Sequence, residues 1–235
     1  MPDTFKRKIK VAIDGPAGAG KSTVAREIAR RLGCSYLDTG AMYRAVTLKL
    51  IRERVALADL ERIEAILMQT GLDLENGQRV FLDGEDVTLE IRQPAVSKLV
   101  SPVAAIPAVR SRMVALQREI ASRSTSIVMD GRDIASRVMP DADYSFYLDA
   151  TPEERARRRQ KELMGQGLEL SIDEVTAGIE ERDRIDSARA DSPLVITPGA
   201  LVIDTTEFTF KEVVALLLDV IRAESGCAPD AATSI

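Results

Sequence analysis

The chain has 235 residues, 45% of them hydrophobic, and its 32 basic and 37 acidic side chains give a net charge of −5 without a single histidine. A chain without histidine excludes catalytic triads and metal sites built on imidazole, and two cysteines are too few for a disulfide framework or a zinc cluster. The acidic balance argues against non-specific binding of nucleic acid, which depends on Lys and Arg. The sequence contains no apolar run of about 18 residues, so it predicts no membrane span. The charged N-terminus is unlike a secretory signal. We therefore expect a cytoplasmic protein with neither a nucleic-acid nor a membrane partner.

The first predicted elements are a strand over 8–14, a glycine-rich loop and a helix over 21–32. The loop matches G-x-x-x-x-G-K-[ST], in which backbone N–H groups and the helix N-terminus surround phosphate oxygens. Lys21 would bridge the β- and γ-phosphates, and the Ser22 hydroxyl would bind Mg²⁺. The residues predicted to bind ATP here are Gly15, Pro16, Ala17, Gly18, Ala19, Gly20, Lys21, Ser22 and Thr23.

Further short apolar strands alternate with helical patterns along the chain. Five strands separated by helices predict a parallel, doubly wound α/β sheet. The later strands are predicted at 35–38, 126–130, 144–149 and 200–204, and the later helices at 40–54, 59–70, 107–123, 152–166, 172–189 and 209–223.

Two regions depart from this alternation. Asn76-Gly77 lies between two alternating runs and is a strong hairpin signal, so we expect an inserted subdomain over 65–105. The charged helix pair over 153–190 is a candidate lid. The core would then comprise 1–64, 106–152 and 191–235, with a disordered tail over 224–235.

The motifs that are missing narrow the class of nucleotide-binding protein. The only asparagine is Asn76, so the Asn/Thr-Lys-x-Asp base-reading motif of GTPases is absent, and no transporter-ATPase signature or helicase acidic box is present. Arginines are instead spread over the later segments, which favours an enzyme that binds a second anion, the phosphoryl acceptor.

Three later segments carry candidate acceptor residues. DTGAMYR (38–44) follows the second strand and contains Thr39, which would alternatively cap the next helix, and Arg44. DGRD (130–133) follows the central strand, where a surface salt bridge between Arg132 and Asp133 is the alternative to a binding role. EERDRIDSAR (180–189) places a charged set on one helix face, and a solvated face with an ordinary ion pair is the alternative there.

Seven segments together resemble the bacterial cytidylate (CMP) kinase family, in order over about 8–222. They are GPAGAGKST, LDTGAMYRA, GEDVT, PAVRSRM, MDGRDI, FYLDATPEERARRR and EERDRIDSAR. The resemblance implies a P-loop kinase fold, with a five-stranded parallel sheet flanked by helices, a small inserted subdomain that binds the nucleoside monophosphate, and a helical lid.

The resemblance also implies roles for individual residues. Asp133 would accept from the N4 amino group of cytosine and Arg110 would donate to N3 or O2, which discriminates against uracil. Arg157 or Arg158 in the lid would lie over ATP. The residues implied for CMP are Thr39, Arg44, Ser101, Arg110, Arg132, Asp133, Arg182, Asp186 and Arg189, and the catalytic residues are Lys21, Arg132, Arg182 and Arg189. Ser101, which stands beside Pro102, is alternatively a turn residue.

The implied reaction is phosphoryl transfer from MgATP to CMP or dCMP by a monomer. An acceptor phosphate is largely ionised at neutral pH, so no strong general base is required. The alternatives are a kinase for UMP, AMP or shikimate, a nucleotide-dependent regulatory switch that signals through a protein partner, and a nucleic-acid-binding ATPase.

Overall fold

The computed structural model describes residues 8–75, 79–165 and 167–225. Its strands are β1 (Lys10–Asp14), β2 (Ser35–Asp38), β3 (Leu72–Glu75), β4 (Arg79–Leu82), β5 (Glu85–Asp86), β6 (Ile127–Asp130), β7 (Tyr144–Asp149) and β8 (Leu201–Asp204). Its α-helices are α1 (Lys21–Leu32), α2 (Thr39–Arg52), α3 (Leu60–Gln69), α4 (Pro94–Ala104), α5 (Pro107–Arg123), α6 (Pro152–Gly165), α7 (Ile172–Ala188) and α8 (Phe210–Ser225).

The main sheet is parallel throughout, with strand order β2-β6-β1-β7-β8. The predicted five-stranded P-loop kinase fold is confirmed. The chain leaves β1 towards β2 on one side of the sheet and leaves β6 towards β7 on the other. Ligands of open α/β sheets bind where neighbouring strands diverge in this way. The carboxyl ends of β1 and β6 therefore mark the crevice.

Apolar side chains of the central strands alternate between two cores, as expected for a sheet covered on both faces. Ala12 and Met129 contribute to the core beneath α2, α3, α4 and α5. Val11, Ile13 and Val128 contribute to the core beneath α1 and α8. The sheet is thus covered by apolar packing on both faces, and its strand ends present polar groups.

A small antiparallel sheet of β3, β4 and β5 lies apart from the main one. Glu75 pairs with Arg79, as the hairpin prediction requires, although the predicted Asn76-Gly77 turn lies outside the described residues. β5 is a third strand that the sequence pattern did not predict. Val80 and Leu82 of this sheet pack with Ala45 and Leu48 of α2 in their own apolar cluster.

The predicted tail over 224–235 begins inside α8, which continues to Ser225, and residues 226–235 lie outside the described residues. Within the ranges given above, no single helix has the length and apolar character to span a membrane. The pair α4 and α5 meets those criteria only jointly, with a 95° bend, and several of its apolar side chains belong to the core.

Candidate functional site

The glycine-rich loop between β1 and α1 lies directly against two neighbouring backbones. Gly15 has a φ of +145°, and a Cβ there would stand 2.0 Å from the carbonyl oxygen of Leu148. Gly18 has a φ of +80°, and its Cβ would stand 2.8 Å from the carbonyl oxygen of Arg155. Side chains at either position would push the loop off the end of β7 and the first turn of α6.

The N-terminus of α1 is open to an anion. Its N-cap, Gly20, supplies no side-chain hydrogen bond, and the first turn contains no acidic residue. The free N–H groups and the positive end of the helix dipole are therefore available to phosphate oxygens. Ser22 and Thr23 follow in this turn, Thr23 with an exposed side chain.

Lys21 is buried and bonds within its own loop. Its Nζ donates to the carbonyl oxygen of Pro16 at 2.6 Å. Burial, joined by the nearby charge of Arg132, lowers the pKa of Lys21 to about 7, while Asp130 and Asp14 act in the opposite direction. A bound polyanion would favour the charged form of Lys21 and so offset the effect of burial on its pKa.

Asp130, at the end of β6, links the loop to the sheet. Ser22 Oγ donates to one of its carboxylate oxygens at 2.7 Å, and the Tyr36 hydroxyl donates to the other at 2.7 Å. Burial, followed by the charge of Asp38, raises the pKa of Asp130 to about 6. A hydroxyl and a carboxylate are hard oxygen donors suited to Mg²⁺. Tyr36 was not predicted as part of this set.

Asp14, the last residue of β1, holds the segment that follows β6. Its two carboxylate oxygens accept from the N–H groups of Ile134 and Ala135, each at 2.9 Å. These residues begin a short π-helical turn, Ile134–Val138, a conformation frequent at functional sites. Burial raises the pKa of Asp14 to about 6.

Arg110 and Asp133 form a buried ion pair. Their residues are only 1% and 5% exposed, and Arg110 Nη2 donates to a carboxylate oxygen of Asp133. Arg110 also donates to the carbonyl oxygen of Ala104 at 3.2 Å, and its Cζ lies 5.5 Å from the ring centre of Tyr43. The alternative interpretation of Asp133 as the surface partner of Arg132 is wrong.

Asp186 on α7 binds two arginines. It accepts from Arg132 Nε at 2.9 Å, and its carboxylate lies 3.5 Å from Arg189 Nη2. Burial alone would raise the pKa of Asp186, but the charges of Arg132, Arg189 and Arg182 outweigh it and hold the pKa below its usual value. The alternative of a solvated helix face is wrong, because Asp186 and Arg189 are buried.

Arg44 and Arg182 belong to one cluster of like charges. Arg44 Nη1 donates to Ser97 Oγ at 2.8 Å and to the carbonyl oxygen of Ile91 at 3.3 Å. Burial and then the charges of Arg182 and Arg159 lower the pKa of Arg44 to about 9. Burial and then the charge of Arg132 lower that of Arg182 to about 10. Such a cluster is arranged for an anion.

Thr39 and Ser101, both predicted to bind the acceptor, do not have the alternative roles considered for them. Thr39 Oγ1 donates to the carbonyl oxygen of Asp130 at 2.7 Å, whereas the cap of α2 is Asp38, which accepts from Ala41 N at 2.9 Å. The alternative role of Thr39 as helix cap is therefore wrong. Ser101 is buried within α4, so the alternative interpretation of Ser101 as a turn residue is wrong.

The predicted ATP arginines of α6 bond away from the loop. The Arg157 side chain is 65% exposed and pairs with Glu154. Arg158 pairs with Glu154 as well and donates to Thr205 Oγ1 at 2.8 Å. The α6 arginine that reaches the loop is Arg155, which donates to the carbonyl oxygen of Ala17 at 2.9 Å and was not predicted.

Buried side-chain polar atoms without a hydrogen-bond partner are concentrated in this region. Of six such atoms in the described part of the chain, four belong to the buried ion pair, to the tyrosine beside it, and to the two arginines that flank Asp186 in sequence. They are Tyr43 Oη, Arg110 Nε, Arg182 Nε and Arg189 Nη2. Native structures rarely leave such groups unsatisfied, so these four atoms are candidates for hydrogen bonds to a polar ligand.

Comparison with known proteins shows which family this chain resembles. The cytidylate kinase family model matches residues 11–223. A cytidylate kinase of Caldanaerobacter subterraneus subsp. tengcongensis is 53% identical over 214 residues, covering 91% of this chain and 95% of its own. One of Pelotomaculum thermopropionicum is 53% identical over 212 residues, covering 88% and 93%. The solved structure of an uncharacterized protein from Eubacterium ventriosum is similar in fold, with a TM-score of 0.53 at 10% identity, covering 92% of this chain and 99% of that one.

Proposed function

The chain belongs to the cytidylate kinase family, and we propose that it transfers the γ-phosphoryl group of ATP to CMP or dCMP with the residues described above. The products are ADP and CDP or dCDP. The observation that carries the assignment of roles is the buried Arg110–Asp133 pair, which faces unsatisfied polar atoms of Tyr43 and Arg189.

Recognition of the base rests on Asp133 and Arg110. Asp133 accepts from the N4 amino group of cytosine, and Arg110, through its free Nε or by exchange of its bond to Asp133, donates to N3 or O2. Uracil presents a carbonyl where cytosine has the amino group, and this oxygen would face a buried carboxylate. Leaving both acceptors unpaired costs about 1–3 kcal/mol.

The acceptor phosphate binds among the mutually repelling arginines. Arg44, Arg132 and Arg182 surround it, and its negative charge opposes both the burial and the like-charge repulsion that lower the pKa of Arg44 and Arg182. Arg189 is the fourth arginine of this set, and its Nη2 lies 3.5 Å from the carboxylate of Asp186. These cations stabilise the charge that develops on the transferring group, while the phosphate itself needs no general base.

The donor phosphates bind in the glycine-rich loop. Backbone N–H groups of the loop and of the first turn of α1 hold the β-phosphate, and Lys21 leaves Pro16 to bind the β- and γ-phosphates. The polyanion restores the charged form of Lys21, whose pKa burial has lowered. Arg157 and Arg158 remain candidates for contacts with ATP from the lid.

Magnesium fits the oxygen donors at the end of β6. Ser22 is the proposed ligand, with Asp130 beside it. The described residues contain no group of three or more acidic or cysteine side chains that would form a closed metal site. Mg²⁺ usually binds through one or two protein oxygens together with substrate phosphates and water, so it does not require such a group. When bound, it neutralises charge on the phosphates.

We assign residues 65–105 to a nucleoside-monophosphate-binding subdomain, which the separate antiparallel sheet of β3, β4 and β5 supports, and 153–190 to a lid. The enzyme acts as a cytoplasmic monomer without nucleic-acid or membrane partners, which its net charge of −5 supports for nucleic acid.

The test is a comparison of acceptors with purified protein, ATP and Mg²⁺. We expect kcat/KM for CMP and dCMP to exceed that for UMP, AMP and shikimate. Turnover with UMP or AMP as fast as with CMP would contradict the assignment. Omission of Mg²⁺ is expected to abolish turnover with every acceptor.

A further inference from the structure

The tip of the phosphate-binding loop is held by two side chains of the helices assigned to the lid. Ala17 N donates to Asp183 Oδ1 of α7 at 3.0 Å. Ala17 O accepts from Arg155 Nη1 of α6 at 2.9 Å. The same Arg155 nitrogen donates to the other carboxylate oxygen of Asp183. Both backbone groups of Ala17 are therefore bound by one ion pair, which we call the loop bracket (Arg155 and Asp183).

The loop bracket is anchored on the sheet side as well. Arg155 Nε donates to the carbonyl oxygen of Ala150, directly after β7, at 3.0 Å. The Ala17 methyl group packs into an apolar cluster that includes Ala156 of α6 and Ile179 of α7. Ile179 and Asp183 are four residues apart and so share one face of α7. This face of α7 is thus fitted to the loop.

The loop bracket is partly protected from solvent. The Arg155 side chain is 9% exposed and that of Asp183 is 19% exposed. Ion pairs at such burial are less screened than surface pairs, and a carboxylate that binds both an arginine and a backbone N–H forms charge-assisted bonds. Movement of α7 will therefore move Ala17.

The adjacent face of α7 reaches the acceptor site. Arg182 immediately precedes Asp183 and belongs to the arginine cluster around Arg44. Asp186 accepts from Arg132 Nε at 2.9 Å; burial alone would lower the pKa of Arg132, but the charges of Asp186 and then Asp183 outweigh it and raise that pKa. One helix thus contacts the loop that holds the donor phosphates and the arginines proposed for the acceptor phosphate.

We propose that Asp183 is a positioning residue that couples the two nucleotide sites. When the acceptor draws Arg182 and the Asp186–Arg132 pair into place, α7 sets the position of Ala17 through Asp183, and the loop binds ATP more tightly. By linkage, ATP increases the affinity for CMP by the same factor. Asp183 touches no reacting group. The inference rests on the proposed function, because it takes CMP as the acceptor.

The experiment measures binding rather than turnover. Calorimetry gives the Kd of a non-hydrolysable ATP analogue with Mg²⁺, first alone and then with saturating CMP, for the wild type, Asp183→Asn and Asp183→Ala. The matched control is Glu180→Gln, which removes one negative charge from an exposed position on the same helix. A titration with CMP alone is run for each protein.

In the wild type and Glu180→Gln we expect CMP to lower the Kd of the analogue by about tenfold, within the usual range of coupling between sites. In Asp183→Ala this ratio is expected to fall close to one, while the Kd for CMP alone changes by less than about threefold. Asp183→Asn is expected to be intermediate, because its amide oxygen still accepts from Ala17 N but no longer pairs as a charge with Arg155.

Three results would overturn the coupling role. They are a ratio near one in the wild type, a wild-type ratio in Asp183→Ala with both affinities unchanged, and a wild-type ratio in Asp183→Ala with equal loss of affinity for both nucleotides, which is the mark of a purely structural residue. If Asp183→Ala fails to fold, Asp183→Asn decides between these outcomes. Wild-type protein that does not bind CMP in the single titration contradicts the proposed function itself, and the coupling falls with it.

Discussion

At the scale of single residues, the site consists of groups whose burial works against their charge. Lys21 has a pKa lowered to about 7, and that of Asp130 is raised to about 6. Burial is the first cause of both shifts, so the fold holds both groups in positions that disfavour their charged forms. A bound nucleotide is the partner that reverses this penalty for Lys21.

Lys21→Ala is therefore expected to lower kcat by at least about 100-fold, the usual loss when one preorganised charge is removed from a transition state. Lys211→Ala on α8, which removes an exposed lysine, serves as the control and is expected to leave kcat unchanged. Steady-state kinetics with ATP and CMP, together with circular dichroism of each variant, makes the comparison. A folded Lys21→Ala enzyme with the wild-type rate would contradict the role of the loop.

Asp133→Asn addresses recognition of the base. The amide keeps the shape of the side chain but can donate to the O4 carbonyl of uracil. We expect kcat/KM for CMP to fall by roughly 10- to 100-fold, the worth of a charged hydrogen bond, and the ratio of UMP to CMP turnover to rise. An equal loss with both acceptors would remove Asp133 from base recognition, since a general effect on the fold penalises both alike.

At the scale of elements, the strands and helices of the main sheet were predictable because local periodicity encodes them. The glycine-rich loop was predictable for the same reason, since its residues are consecutive. Arg110 and Asp133 stand 23 residues apart, and only the family resemblance paired them. Asp183 lies off the helix face that carries Arg182 and Asp186, so the spacing of that face does not indicate it. Its partner Ala17 is 166 residues away, a distance that no local pattern spans.

Gly18→Ala tests how closely the loop element lies on α6. A Cβ there meets the carbonyl oxygen of Arg155 at 2.8 Å and is placed on a left-handed backbone, whereas Gly199 has a similar φ of +84° and open space around it. Gly199→Ala is therefore expected to cost only the backbone strain of about 1–2 kcal/mol. Gly18→Ala is expected to lower the Tm further and to raise the KM for ATP. Equal effects of the two substitutions on Tm and KM would show that contact with α6 is unimportant.

At the scale of the whole molecule, the protein brings several arginines close together despite its net charge of −5. Burial first, and then the charge of a neighbouring arginine, lowers the pKa of both Arg44 and Arg182. A ligand that binds only the native state stabilises it by RT ln(1 + [L]/Kd), and here the phosphate of the ligand supplies most of the complementary charge. Stability should consequently depend on whether the acceptor carries its phosphate.

CMP at about 100 times its Kd is expected to stabilise the protein by about 2.7 kcal/mol, which corresponds to a rise in Tm of roughly 5–10 °C for a chain of this size. Cytidine at the same concentration offers the base to Asp133 but no charge to the arginines, so its shift is expected to be much smaller. Arg44→Gln should lose most of the difference between CMP and cytidine, because it removes one of the repelling charges. Arg157→Gln, whose exposed side chain pairs with Glu154, should retain it. Equal shifts by CMP and cytidine in a thermal melt of the wild type would mean that the base, rather than the phosphate, provides the binding free energy, and the arginine cluster would then have another purpose.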